Sequence, residues 1–254
     1  MRKHTIITAA ALILAGLTTS TALAQSDALT VKKEQASKTL RKAGHNNGNL
    51  TKKAPESVKK AVEAMKKATK AAIDMPAPDF TLVDINGKKH TLSEYTAAGQ
   101  TVVLEWFNPD CPYVREHYKA EAKGTSTVVE KEFQGQKVVW LRINSGSAKS
   151  KTSGKKRNAK AAKDWGITSP ILLDADGTVG RKYGAKVTPT VVIINDQGVV
   201  AYEGAMDSEK SPRKTGETIY PREALKSVLA HETVEHKTTH AVGCAVKYAA
   251  RKSD

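Results

Sequence analysis

Residues 101–107, Thr-Val-Val-Leu-Glu-Trp-Phe, are apolar on both faces except at Glu105, and they run directly into Asn108, Pro109, Asp110, Cys111 and Pro112. A strand without a polar face has to be covered from both sides, so it belongs inside a layered sheet. The neighbouring segments fit that demand. Phe80–Asp84 and His90–Leu92 flank Asn86-Gly87 as a hairpin would, with a short helix expected from Ser93. A helix follows Cys111, then a buried strand at Lys137–Ile143 and a helix at Ala159–Trp165. Pro170–Asp174, Thr190–Asn195 and Val199–Glu203 supply further strands, the last two joined through Asp196-Gln197-Gly198, and Pro221–His231 forms the last helix. The pattern predicts an α/β fold, a mixed central sheet with helices on both faces.

That pattern occupies residues 76–231, and what flanks it is different. Residues 1–24 carry Arg2 and Lys3, an apolar core from Ile6 to Leu17, and Ala22-Leu23-Ala24 before Gln25, the three parts of a cleaved export signal. The apolar run is short for a spanning helix, and no cysteine follows it to take a lipid, so no stable membrane insertion is expected and the address is periplasmic or secreted. Residues 25–75 hold 12 Lys or Arg against 5 Asp or Glu and no aromatic residue. The net charge of +15 thus has a strong basic contribution in a segment without stacking groups, which argues against a specific nucleic-acid partner. Within this linker, Pro55 and the spacing of Val58, Val62, Met65 and Ile73 predict a helix over 55–74, ended by Met75-Pro76-Ala77-Pro78. Residues 232–254 form a tail. A second basic cluster, Lys149 to Lys163 with Arg157 among it, reads as a solvated loop entering a helix.

The chain has two cysteines, Cys111 and Cys244, which excludes a multi-cysteine zinc site or an iron–sulfur cluster and allows at most one intramolecular disulfide. Cys111 sits at a strand-to-helix junction with Pro112 at the first helical position. A sulfur there meets free backbone N–H groups and the positive end of a helix dipole, which favour its thiolate. The alternative is a small buried core residue.

Ala77-Pro78-Asp79-Phe80-Thr81-Leu82, Trp106-Phe107-Asn108-Pro109-Asp110-Cys111-Pro112 and Val187-Thr188-Pro189-Thr190 together resemble the thioredoxin-like superfamily. The similarity is to its exported redoxin branch, shared by alkyl hydroperoxide reductase/thiol-specific antioxidant proteins and thiol-disulfide oxidoreductases, and it spans about 76–231. The resemblance implies an oxidoreductase without a cofactor, with Cys111 as nucleophile. It implies a cis peptide before Pro189 facing the sulfur, Thr188 offering its backbone to an extended thiol substrate, and Pro112 beside it. It gives Glu105 a candidate acid/base role, against the alternative of a carboxylate paired with a nearby lysine or arginine.

The chain also departs from the pattern. Val114 stands where a thioredoxin-type exchanger has its second cysteine, and Asn108 and Pro189 stand where a peroxiredoxin has its threonine and arginine, leaving Arg115 or Arg181 as substitutes. Cys244 lies in the tail beside Gly243, which allows bending. It is taken as the resolving thiol; a permanent structural disulfide or a cysteine unrelated to Cys111 are the alternatives. His236, His240 and Cys244 are spaced by four, but Thr238, Thr239 and Gly243 oppose the helix that would align them, and His117 reads as solvent-facing, so no metal site is expected. The expected function is thiol-disulfide exchange with protein or small-molecule partners and an external thiol reductant. The alternatives are a peroxiredoxin-like peroxidase and a non-enzymatic binding or copper-handling redoxin.

Overall fold

The computed structural model describes residues 55–118 and 126–250. The export signal expected at 1–24 and the first part of the linker lie outside them. Pro55 opens α1 (Glu56–Lys67), which turns Val62 and Met65 inward and its lysines outward. The expected helix over 55–74 stops early because Ala68 is already extended, and the chain instead docks through Ala71 N–H onto the carbonyl of Lys182 at 2.9 Å. A long-range contact here outweighs the helical propensity of an Ala/Lys stretch.

The sequence from Phe80 onward forms the expected alternation. β1 (Thr81–Asp84) and β2 (Lys89–Thr91) make the hairpin, with Gly87 at φ 89° in its turn, and α2 (Leu92–Ala97) leads to β3 (Thr101–Trp106). After α3 (Pro112–Glu116) and α4 (Ser126–Glu132) come β4 (Val138–Asn144), α5 (Lys155–Asp164), β5 (Ile171–Leu173) and α6 (Thr178–Lys182). β6 (Val187–Thr188), β7 (Thr190–Ile194), β8 (Val200–Gly204), α7 (Tyr220–Leu229) and β9 (Cys244–Ala245) complete the chain. Seven strands form one sheet in the order β2-β1-β5-β4-β3-β7-β8, and β6 and β9 form a separate pair. β3, β4 and β5 run parallel, while β7 and β8 add antiparallel.

Every residue of β3 is buried, as its composition requires. Alternate residues feed two cores. Val102, Leu104 and Trp106 pack with Met65 of α1, Leu92 of α2 and Val179 and Tyr183, whereas Val103 packs with Trp140 of β4, Val129 of α4 and Leu225 and Val228 of α7. Helices therefore cover both faces of a mixed sheet. Met65 is fully buried, and burying a side chain of that size is worth about 1.5–3 kcal/mol, so α1 is part of the core rather than an appendage. A third cluster, including Ile85, Phe107, Cys111, Val114, Ala161 and Ile171, lies where β3 gives way to α3, and Cys244 packs against it.

Candidate functional site

The loop after β3 is shaped by its own side chains. Asn108 accepts the Asp110 N–H through its side chain at 2.9 Å and the Cys111 N–H through its carbonyl at 3.0 Å, a turn of the kind Asn favours. Arg157 of α5 grips this turn, bonding Asp110 at 2.6 and 3.0 Å and the Pro109 carbonyl at 3.1 Å. It is thus not a solvated member of the basic cluster, a partner that sequence distance concealed.

Cys111 takes the N-cap position of α3 with exposed Pro112 next to it, as the sequence suggests, but its side chain makes no capping bond. The thiol is 1% exposed and donates instead to the carbonyl of Thr188 at 3.1 Å. With only five residues, α3 gathers little dipole, so the helix-capping account of this sulfur gives way to one built on the loop opposite.

That loop carries the Thr188-Pro189 peptide in the cis form, as the resemblance implied. Thr188 does not offer a free edge, however. β6 pairs antiparallel with β9, setting Thr188 against Cys244 and Val187 against Ala245, and the Val246 N–H bonds the Lys186 carbonyl at 2.9 Å. Gly243 is there for closeness rather than for bending: a β-carbon on it would lie 2.0 Å from the Thr188 carbonyl oxygen. The tail thereby brings Cys244 to Cys111. Both are free thiols; Cys244 stands opposite Thr188, whose carbonyl accepts from the Cys111 thiol, and packs against the cluster that contains Cys111. Burial first, and then the neighbouring Cys111, push the Cys244 thiol up to about 12, with Lys247 opposing.

Glu105 follows the second of its two sequence readings. It is fully buried, and its carboxylate accepts from Tyr118 at 2.8 Å, Ser126 at 3.1 Å and Trp140 at 2.8 Å and pairs with Arg142 at 3.5 Å. None of these partners is Cys111. Arg142 in turn bonds Tyr118, Ser169 and Glu130, which completes a buried network behind the loop. The acid/base reading of Glu105 has no contact to support it.

The other candidates part from the sulfur. Arg115 is exposed, and Arg181 is committed to the tail, stacking 4.5 Å over the Tyr248 ring and bonding the Ala249 carbonyl at 2.5 Å. His236 packs edge-on against Tyr220, and the segment holding His236, His240 and Cys244 is not helical. His117 is buried, not solvent-facing. Its Nδ1 lies 3.9 Å from Asp207, and burial lowers its pKa against the pull of Asp207, Glu105 and Glu116. The helical position of His117 relative to Val114 carried that signal, since both fall on the inward side of so short a helix.

Residues 73–203 match the AhpC/TSA family. Thiol-disulfide oxidoreductase ResA of Geobacillus thermodenitrificans is 30% identical over 137 residues, covering 52% of this chain and 68% of that protein. The ResA of Bacillus subtilis is 29% identical over 131 residues, 49% of this chain and 62% of that protein. Among solved structures, a hypothetical protein from Sinorhizobium meliloti superposes with a TM-score of 0.62 at 26% identity, covering 71% of this chain and 96% of its own. An uncharacterised conserved protein from Geobacillus kaustophilus reaches the same TM-score at 21% identity, covering 71% of this chain and 94% of its own, a likeness of fold. No described helix is long and apolar enough to cross a membrane.

Proposed function

This chain belongs to the AhpC/TSA family and is an oxidoreductase, and from that premise we propose that it performs thiol-disulfide exchange through Cys111, with Cys244 as the resolving thiol. The observation that carries the reading is the convergence of both cysteines on Thr188, Cys111 through its hydrogen bond to the Thr188 carbonyl and Cys244 as the strand partner of that residue.

The exchange balances as follows. The Cys111 thiolate attacks one sulfur of a substrate disulfide; the substrate S–S bond breaks, a mixed disulfide forms on Cys111, and the first substrate thiolate leaves and takes up a proton. Cys244 then attacks the Cys111 sulfur, expelling the second substrate thiol and leaving a Cys111–Cys244 disulfide. Two thiols have been released and the protein holds the oxidation until an external dithiol reduces it.

The other residues hold this pair in place. Thr188 and Pro189 form the wall opposite the sulfur, Pro112 its exposed rim, and Glu105 is a positioning residue that anchors the strand before the loop. A peroxidase reading is less supported, since Arg181 is held by the tail and Arg115 points to solvent. We place the protein outside the cytoplasm on the strength of residues 1–24 and take 76–231 as the redoxin domain.

Reduced protein treated with a small disulfide and mapped without reductant should yield a Cys111–Cys244 peptide pair within one chain. Cys244→Ser should stall at the mixed disulfide on Cys111, and Cys111→Ser should form neither. A mixed disulfide that accumulates on Cys244 in the wild type would assign the roles the other way.

A further inference from the structure

Polypeptide disulfides commonly reach a buried sulfur by laying an extended stretch along a free backbone edge beside it. Here that edge is taken by the chain's own tail. The pairing of Thr188 with Cys244 and Val187 with Ala245 occupies the β6 edge, and the close approach of Gly243 to the Thr188 carbonyl leaves no room for a second strand.

The tail is a strap fastened on both sides of the sulfur. Upstream, Glu203 bonds Lys237 and Thr239 through backbone contacts of 2.9 and 3.1 Å, the Thr239 hydroxyl meets the Ala205 N–H at 2.8 Å, and Lys237 pairs with Asp74 at 2.8 Å. Downstream, the Ser147 N–H bonds the Lys247 carbonyl at 2.7 Å, and the Tyr248 hydroxyl donates to the Ala185 carbonyl at 2.5 Å beneath Arg181. Gly177 and Gly180 make the seat for that ring, since a β-carbon on either would lie 2.4 Å from a Tyr248 atom. An open groove of about 470 Å³ borders the strap, lined by Lys186, Val187, Glu203, His240 and Gly243 and by neither cysteine, a size that suits a small molecule approaching along the strap.

We infer that the seated strap makes this a site for low-molecular-weight disulfides and closes it to polypeptide disulfides, with Tyr248 as the latch. The inference rests on the exchange reading above, because it names the substrate class of the same sulfur. Entry of a polypeptide requires the strap to open, and each loss of about 1.4 kcal/mol from its fastening raises the open fraction about tenfold.

The test has two arms. In the first, the reduced protein is labelled with iodoacetamide or with a maleimide carried on a protein-sized polyethylene glycol, and modification of Cys111 is followed by peptide mapping. The wild type should accept the small reagent and resist the polymer. Tyr248→Ala and Gly243→Ala should accept both, with Tyr248→Phe, which loses only the hydroxyl bond, between them. In the second arm, the reduced wild type and Tyr248→Ala are oxidised in a single turnover by cystine or by insulin. Cystine should oxidise both forms, and insulin only the variant. If the polymer reaches Cys111 equally in all forms while cystine still oxidises the protein, the strap inference fails and the exchange reading stands. If labelling follows the strap but neither disulfide oxidises any form, the exchange reading fails and the substrate assignment falls with it.

Discussion

Glu105 and Arg142 are both fully buried, and a buried pair is costly chiefly when one member is removed. Glu105→Ala leaves Arg142 with Glu130 as its remaining carboxylate and orphans the Trp140 and Tyr118 donors, so it should lower the unfolding free energy by about 3–5 kcal/mol in urea titration. Glu105→Gln should cost less and leave the rate of Cys111 alkylation unchanged; a slowed rate with intact stability would restore the acid/base role. His117 makes a pH prediction. Its pKa is lowered from 6.5 by burial, so the unfolded chain takes up the proton first and stability falls as pH drops below about 6.5. His117→Gln should therefore lose less stability than the wild type between about pH 7 and pH 5, measured by thermal melts; an equal loss would show that this ring is not the group titrating. The sequence announced that Glu105 needs a partner, but that Arg142 and Trp140 supply it is a matter of strand register between β3 and β4, which residue types alone do not encode.

Among the elements, legibility followed length and periodicity. β3, β4, β7 and α7 were readable because several residues in each repeat one pattern, and their bounds shifted by only a few residues. β6 and β9 have two residues apiece, too few for any period, and α6 follows a left-handed Gly177 with no apolar run to mark it. The strap as an element was legible only in its cysteine. Its upstream fastening is testable at Gly204, which sits at φ 155° where a β-carbon would lie 2.5 Å from the Thr239 carbonyl oxygen. Gly204→Ala should speed hydrogen exchange at the Thr239 and Glu203 amides while leaving β3 protected. Unchanged protection would mean that these contacts do not hold the segment.

On the scale of the whole molecule, the family match covers 73–203, yet the flanks on both sides pack into the same body: α1 through Met65 and the tail through β9 and Tyr248. Composition gave α1 its apolar face but no sign of where it docks, and the basic excess that dominates the N-terminal flank says nothing about the core beneath it. The sheet ends at β8, and residues 237–239 lie along its outer side, with Glu203 bridged in parallel to Thr238. A bare strand margin invites pairing with another molecule. Removing the chain after Leu229 should therefore make light scattering rise steeply with concentration, whereas Cys244→Ser, which keeps the covering, should not; equal scattering from both would leave the margin harmless. The same tail that lies across the sulfur thus also covers the margin along which the sheet could pair with a second molecule.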